Sequence, residues 1–349
     1  MDTLNAQESV VATGDCARTV VKAAGFSLML LVPLLGPIGH WLGYWWLSPL
    51  VIFGLVPLGD LVVGEDRTNL GSSRPGWGAA YYWLIPQAYV LVWLGCLWWT
   101  AEQLATGASG VDAAGIVVAA GIGSAFATCA AHEMLHRGSA IDYWSARIAM
   151  SMCAYGHFVV EHLHHHATVG RVECGTVPRA GEPMWRFVVR NALFGYRNSF
   201  EVAERLRRGR GWWANRALQQ HALTVSLATG SYLAFGWRGL ALFGAQALIA
   251  MATVELVQYC EHYGLERRDG EPATIEHSWN ANGWLTNALT LNIARHSEHH
   301  LNAKVPYQAL TMMPGCPTMP MGYFGMTWLA LVPDAWRAVV HPRRRRPPA

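Results

Sequence analysis

Six apolar segments, each long enough or nearly long enough to cross a bilayer as a helix, constrain the fold more than any other feature of this sequence. Only 14% of the residues are charged, against about 25% in a soluble domain. The sequence therefore predicts an all-α, integral-membrane bundle of six transmembrane helices in a single domain over residues 1–349. The predicted spans cover roughly residues 24–46, 48–64, 79–100, 112–131, 219–236 and 239–260.

A further apolar segment, 141–158, contains Asp142 and Arg147. Because charged side chains are costly inside a bilayer, we expect this segment to form an amphipathic helix at the surface.

The positions of the basic residues predict the orientation. With six spans, the termini and the loops 65–78, 132–218 and 261–349 share one side, and every Lys and Arg except Arg238 lies there. Lys and Arg collect on the cytoplasmic side, so we expect a multi-pass protein of the inner (cytoplasmic) membrane with both termini inside. A cytoplasmic helical cap would then contain the catalytic regions 132–218 and 261–340, followed by a basic tail, 341–349.

Two basic runs, at 206–210 and 343–346, are typical of segments that lie on anionic membrane lipid. Docking of an acidic electron carrier is the alternative interpretation. Nothing in the sequence indicates a nucleic-acid partner.

The seven cysteines are scattered and form no C-x-x-C pair. This argues against a disulfide framework and against a cysteine-bound zinc or iron–sulfur site. Any electron-transfer centre of that kind would have to lie on another protein.

Clustered histidines are the feature that points to function. Residues at i, i+3 and i+4 share one face of a helix, and three of the clusters have this spacing. By the predicted topology, all the clusters emerge on the same side of the membrane. The nine candidate metal ligands are His132, His136, His162, His165, His166, His262, His296, His299 and His300.

Nine imidazoles exceed the four ligands of one tetrahedral zinc and suit two metal ions, each with several ligands. Imidazole binds zinc, copper, iron and nickel, so the ligand type does not select the metal. We interpret nearby carboxylates and histidines as groups that support the ligands. The candidates are Glu133, Glu161, Glu261, Glu298, His157, His164, His277 and Asp60.

Other readings of the histidines remain open. Residues 132–136 alone match the H-E-x-x-H zinc-protease signature, with Glu133 as the general base. Glu133/His136 and Glu161/His164 fit the Glu-x-x-His pairs of a carboxylate-rich di-iron bundle. An iron transporter and a histidine-rich structural membrane protein are further classes, but a transporter would be expected to have ionisable residues along its spans.

The clusters, in order, resemble the motifs of the alkane monooxygenase family, and more distantly those of xylene monooxygenase and membrane fatty-acid desaturases. The family motifs H-E-x-x-H, E-H-x-x-x-H-H, N-Y-x-E-H-Y-G and R-H-S-x-H-H correspond to residues 132–136, 161–166, 258–264 and 295–300. Two departures indicate a divergent branch. The second motif has two residues, not three, before its histidine pair, and the third begins with Gln258 instead of Asn.

The resemblance implies two non-haem iron ions, O₂ as oxidant and a rubredoxin-like electron donor with its reductase. The implied reaction is hydroxylation of an apolar substrate, most simply the end of an alkane or alkyl chain. Desaturation, or hydroxylation of a fatty acyl or alkyl-aromatic substrate, is the alternative. The candidates for lining a substrate channel among the spans are Trp45, Trp46, Phe53, Gly123 and Ala127.

Overall fold

The computed structural model describes residues 17–70, 77–268 and 270–344 of the chain, and the all-α class predicted from the sequence is confirmed for them. Short 3₁₀ turns and two isolated β-bridges complete the described structure. The helices are α1 (Ala17–Leu31), α2 (Leu35–Trp41), α3 (Leu47–Val63), α4 (Trp77–Thr106), α5 (Gly110–Leu135), α6 (Ala140–Met152), α7 (Phe158–Thr168), α8 (Met184–Arg207), α9 (Arg216–His262), α10 (Trp284–Leu289), α11 (His296–Leu301), α12 (Tyr323–Ala330) and α13 (Pro333–Val340). Phe26–Leu31 at the end of α1 is 3₁₀-helical, and Val51–Leu55 within α3 is π-helical.

The helices include several that are suited to a membrane. By length and composition, α4, α5 and α9 can each cross a bilayer, and α1 with α2 makes a fourth candidate if the bent pair is one span. Helix α3 is apolar but shorter. A membrane protein is therefore supported, whereas these criteria alone do not give six spans.

The first predicted span, 24–46, is not one continuous helix. Helix α1 ends at Leu31, α2 begins at Leu35, and their axes differ in direction by 61°. Pro33 lies in the break. Because proline lacks a backbone N–H and its ring clashes with the preceding turn, an uninterrupted helix is disfavoured there.

Helix α9 is a helical hairpin. Gly236 has φ 63°, outside the helical region, and the Ser231 hydroxyl donates to the Gly239 carbonyl at 2.9 Å. Eight residues of continuous helix would separate these groups by about 12 Å, so the chain must reverse between them. The reversal falls at the boundary between the predicted spans 219–236 and 239–260.

Arg238, the one basic residue that the sequence places on the opposite side, lies in this reversal. Its guanidinium donates to the carbonyls of Leu104 and Ala105 at 3.0 and 2.9 Å. These carbonyls belong to the last turn of α4, where intrahelical partners are missing. Arg238 therefore closes the end of α4 at the face of the bundle remote from the histidines.

The segment predicted as a surface amphipathic helix forms α6, but its charges face inwards. Asp142 accepts from Gln87 Nε2 at 2.7 Å and from Trp83 Nε1 at 3.1 Å, while Arg147 donates to Gln220 at 2.5 Å. The exposed side of the helix includes Ile141, Trp144 and Ile148. Neighbouring helices supply the polar partners of these two charges, and the sequence pattern alone does not reveal those partners.

Asp60, at the end of α3, holds the distant helix α10. Its carboxylate accepts from the backbone N–H of Leu285 at 2.7 Å and from the Thr286 hydroxyl at 2.5 Å. A Cβ added at Gly283 or Gly322 would collide with this carboxylate. Asp60 therefore serves as an N-terminal cap for α10, contributed from a remote part of the chain.

We expect Asp60→Ala to destabilise the protein by about 1–3 kcal/mol, because buried donors at the start of α10 would lose their acceptor. Thermal unfolding of the purified protein in detergent measures the effect. Asp334→Ala is the control, since this exposed carboxylate pairs with Arg337 among the described residues and surface pairs contribute little. Equal melting temperatures for wild type and Asp60→Ala would contradict the capping role.

Candidate metal centre

The structure gathers the nine candidate histidines into two groups at one end of the helical bundle. Within each group, one nitrogen from every ring lies within 4.8 Å of the others. We call them group A and group B. Group A comprises His132, His136, His162, His166 and His299, and group B comprises His165, His262, His296 and His300.

Two helices contribute to both groups. On α7, the i, i+4 pair His162 and His166 faces group A, whereas His165 faces group B. On α11, the i, i+4 pair His296 and His300 faces group B, whereas His299 faces group A. A three-residue step and a four-residue step lie on opposite sides of 360° at 100° per residue, so one helix serves two adjacent groups.

The imidazole Nε2 atoms point at one another. In group A, His162 Nε2 lies 2.9 Å from that of His136 and 3.0 Å from that of His166. In group B, His296 Nε2 lies 3.1 Å from that of His262 and 2.9 Å from that of His300. Such convergence places several lone pairs around a common point in each group.

Burial keeps these rings neutral. Burial, followed by the neighbouring imidazoles, lowers the pKa of His162, His299 and His300 well below the ordinary value. Burial lowers the pKa of His136 to about 4. A neutral imidazole has a free lone pair, which is the form that binds metal.

A buried ion network fixes the start of α11. Arg295 is fully buried, and its guanidinium lies 3.2 Å from Asp66 Oδ2, which also pairs with Lys22 at 2.7 Å. The guanidinium also donates to the Leu310 carbonyl at 2.6 Å and to Asn69 Oδ1 at 2.9 Å. Because Arg295 precedes His296, the network sets where the α11 histidines begin.

Two of the carboxylates predicted to support the ligands, Glu133 and Glu298, have other partners. Glu133 accepts from Arg137 at 3.1 Å and from the Tyr307 N–H at 3.4 Å, and Glu298 accepts from Thr311. Burial raises the pKa of Glu161 to about 7, with the nearby Glu255 as a smaller cause. Among the described residues nothing hydrogen-bonds to the buried Nδ1 atoms of His162, His165, His166, His296 and His300.

Glu261 differs from the other three carboxylates. Its Oε2 lies 3.4 Å from His296 Nε2, on the side where the ligand nitrogens converge. Its side chain is buried. Glu261 is therefore placed to face a metal ion in group B.

The three histidines that were predicted to support the ligands lie outside both groups. His164 is half-buried, and its Nδ1 lies 3.1 Å from Asn198 Nδ2. His277 Nδ1 accepts from the Thr274 N–H at 2.9 Å and closes a 3₁₀ turn. His157 packs edge-on against Tyr155.

An apolar cavity of about 100 Å³ reaches both groups. Four histidines border it, two from each group: His132, His162, His165 and His296. Its apolar wall includes Phe126, Met150, Phe158, Val254, Val257 and Phe324.

Among the described residues that line this cavity, none is one of the five residues predicted to line a substrate channel. Phe53 lies one layer behind it, with its ring centroid 6.2 Å from that of Phe324. Gly123 borders a separate small space beside Pro33 and Trp93. Trp45 packs against His40, and Trp46 is exposed.

Residues that the sequence reasoning missed form the polar part of the wall. Tyr155 and Gln258 both border the cavity, and Tyr155 hydrogen-bonds to the buried Glu255 at 2.8 Å. Glu255 could have been identified from the sequence, because an ionisable residue inside a predicted span indicates a functional position. No spacing rule connects it to Tyr155, 100 residues earlier.

Two buried polyhistidine groups at the end of an apolar helical bundle define a class, the histidine-rich metal-binding membrane enzymes. Comparison with known proteins agrees with this class. The model of the fatty acid desaturase family matches residues 111–314.

The chain is also similar to curated monooxygenases. Alkane 1-monooxygenase 2 of Pseudomonas aeruginosa is 35% identical, over 93% of each chain. Alkane 1-monooxygenase 1 of the same organism is 34% identical, over 93% of this chain and 91% of its own. The hydroxylase component of xylene/toluene monooxygenase from Pseudomonas putida is 29% identical, over 60% and 58%.

The chain belongs to the alkane monooxygenase family, and the predicted resemblance is confirmed. It is therefore an oxidoreductase of the monooxygenase type. This membership sets aside the protease, transporter and structural readings of the histidines.

We expect His165→Ala to lower the amount of metal that co-purifies with the protein, whereas His164→Ala leaves it unchanged. The two residues are adjacent, but only His165 lies in a histidine group. Elemental analysis of the purified variants measures metal per chain. Equal losses in the two variants would contradict the assignment of ligands on α7.

Proposed function

We propose that this protein is a di-iron monooxygenase that inserts one oxygen atom from O₂ into a C–H bond of an apolar alkyl substrate, most simply the terminal carbon of an alkane. The observation that carries the proposal is the apolar cavity that is lined by histidines of both groups. An alkyl chain in this cavity would present a carbon to both metal positions.

The spacing of the nitrogens is compatible with a metal ion in each group. Two nitrogens bound to one ion at about 2.1 Å lie about 3.0–3.4 Å apart when they are adjacent ligands. The close Nε2 pairs here lie 2.9–3.1 Å apart. Group A with five imidazoles and group B with four, beside Glu261, would hold one iron each.

When bound, the iron pair would supply the activation of O₂ and the oxidation of the C–H bond. The balanced reaction is RH + O₂ + 2e⁻ + 2H⁺ → ROH + H₂O. The protein holds the ligands neutral and buried, encloses the alkyl chain, and keeps bulk water from the reacting carbon.

Burial is the means of recognising an alkane, since it has no hydrogen-bonding group. Each buried CH₂ contributes about 0.8 kcal/mol, which is about a fourfold change in affinity. The side chains that end the cavity would therefore set the preferred chain length.

We propose a separate electron donor, a rubredoxin-like carrier with its reductase. The cysteines at 96, 129, 153, 174 and 260 are free and scattered in the described structure. An iron–sulfur centre needs clustered cysteine thiolates. Two electrons per turnover must therefore reach the histidine groups from another protein.

We also propose that the chain crosses the inner membrane six times, with the histidines and both termini in the cytoplasm. The bent pair α1–α2, the short helix α3, the helices α4 and α5, and the two arms of α9 would be the spans. The reversal at Gly236 and the confinement of basic residues to one side support this arrangement. A cysteine at position 238 would be labelled from the periplasm.

Desaturation is the second candidate, because the matched family model is that of fatty acid desaturases. Both reactions use O₂ and two electrons, but only hydroxylation leaves an oxygen atom in the product.

We expect cells that produce this protein with a rubredoxin and its reductase to convert alkanes into alcohols that contain oxygen from heavy-isotope O₂. His299→Ala should lower the rate by more than about 100-fold, since even the partners of metal ligands affect activity by 10–100-fold. His164→Ala is the matched control. Unlabelled products with new double bonds would instead establish a desaturase.

We expect Phe324→Ala to shift the preference towards longer chains, because Phe324 lines the cavity and stacks on Phe126, with ring centroids 5.6 Å apart, so that its removal enlarges the cavity. Competition between alkanes of different length measures the change, with folding checked by thermal unfolding. Phe243→Ala is the control, since Phe243 is similarly buried but lines a separate space between α4 and α9. The same shift in both variants would contradict the assignment.

A further inference from the structure

One wall of the apolar cavity presents a fixed hydrogen-bond acceptor. Gln258 borders the cavity and is 9% exposed. Its Nε2 donates to the Tyr155 hydroxyl at 3.1 Å. No hydrogen bond joins its Oε1 to the other described residues, so this oxygen is available to a ligand in the cavity.

The orientation of this amide is set from the carboxyl of Glu255. Asn191 Nδ2 donates to one carboxyl oxygen at 2.6 Å, and the Tyr155 hydroxyl donates to the other at 2.8 Å. The tyrosine proton is therefore committed to Glu255, and its oxygen can only accept from Gln258. This leaves the Gln258 carbonyl as the end of the amide that is free to meet a ligand.

The other polar groups on the wall are engaged differently. The hydroxyls of Thr128, Thr253 and Thr290 donate to carbonyls of their own helices. Glu261 lies against the ligand nitrogens of group B. Away from the metal centre, the amide carbonyl of Gln258 is the strongest acceptor that these residues offer.

The position of Gln258 relates this acceptor to the chemistry. It lies four residues before His262 on α9, about 6 Å along the helix axis. A hydroxyl group formed beside the histidines would need only a small shift to reach it.

We infer that Gln258 is a specificity-determining residue whose carbonyl accepts a hydrogen bond from the hydroxyl group of an alkyl alcohol. The alcohol formed by the proposed hydroxylation is the natural ligand of this kind, so the inference rests in part on the proposed function. An alkane that fills the cavity covers the carbonyl without supplying a donor, whereas the alcohol supplies one. The protein should therefore bind a 1-alkanol more tightly than the alkane of equal length.

The test measures binding without turnover. Purified protein at a fixed detergent concentration is titrated with 1-octanol, octane and methyl heptyl ether, which accepts hydrogen bonds but cannot donate them. Thermal stabilisation gives the apparent Kd of each ligand. We expect wild type to prefer octanol over both other ligands.

Gln258→Met removes the acceptor at similar volume and should weaken octanol binding by about 2- to 10-fold, the contribution of one neutral hydrogen bond, without weakening octane binding. Gln246→Met is the matched control. Gln246 lies on the same helix and is also buried, and none of the described residues donates to its Oε1, but it borders the space between α4 and α9. An octanol-to-octane ratio unchanged by Gln258→Met would overturn the inference.

Tyr155→Phe is a second test that keeps Gln258. Without the tyrosine oxygen, the amide can turn its Nε2 towards the ligand, so the preference for octanol over the ether should narrow. If Gln258→Met does not fold, this variant decides, and an unchanged preference would overturn the inference. If Gln258→Met loses the preference for octanol but the wild-type protein does not hydroxylate alkanes, the proposed function is refuted and the inference stands. If the wild-type protein hydroxylates alkanes but Gln258→Met keeps the preference for octanol, the inference is refuted and the proposed function stands.

Discussion

The arrangement of the histidine groups depends on one buried guanidinium, that of Arg295, whose charge is balanced by groups of the protein and not by solvent water. Arg295 is fully buried, and Asp66, Asn69 and backbone carbonyls pair with its two terminal nitrogens, Nη1 and Nη2. An unpaired charge at this depth would be strongly unfavourable, so partners from distant parts of the chain must be present together. The loop after α3, the start of α1 and the turn into α11 are thereby held in one arrangement. Leu291 and Asn292, both with positive φ, make the sharp turn that brings Arg295 there.

From this anchor, helix geometry divides the histidines. Because α7 and α11 each lie between groups A and B, four-residue steps stay on one side of a helix and three-residue steps reach the other. Burial then lowers the pKa of the imidazoles, so the groups are ready to bind metal. The same packing closes an apolar cavity against them. In this way the stability of the fold and the chemistry of the site rest on the same contacts.

Much of the site was predictable from the sequence because the relevant interactions are local. Helical spacing marks which imidazoles share a face, and motif order identifies the family. The carboxylates were harder. Glu133 and Glu298 stand beside ligands in sequence, yet their hydrogen bonds go to Arg137, Tyr307 and Thr311. Asp60 was selected as a supporting residue and instead caps α10. The direction in which a short side chain finds a partner depends on elements far away along the chain.

The sequence by itself determined the helical class, the apolar character of the bundle, the set of nine histidines and the family. These properties follow from composition and from periodicity within single helices. Only the tertiary structure decided which histidines share a group, that α1 and α2 bend apart, that α6 turns its charges inwards, and that Tyr155 and Gln258 meet at the cavity. Each of these outcomes depends on contacts between segments that are distant in sequence, and the favourable free energy of such contacts appears only when the helices pack together.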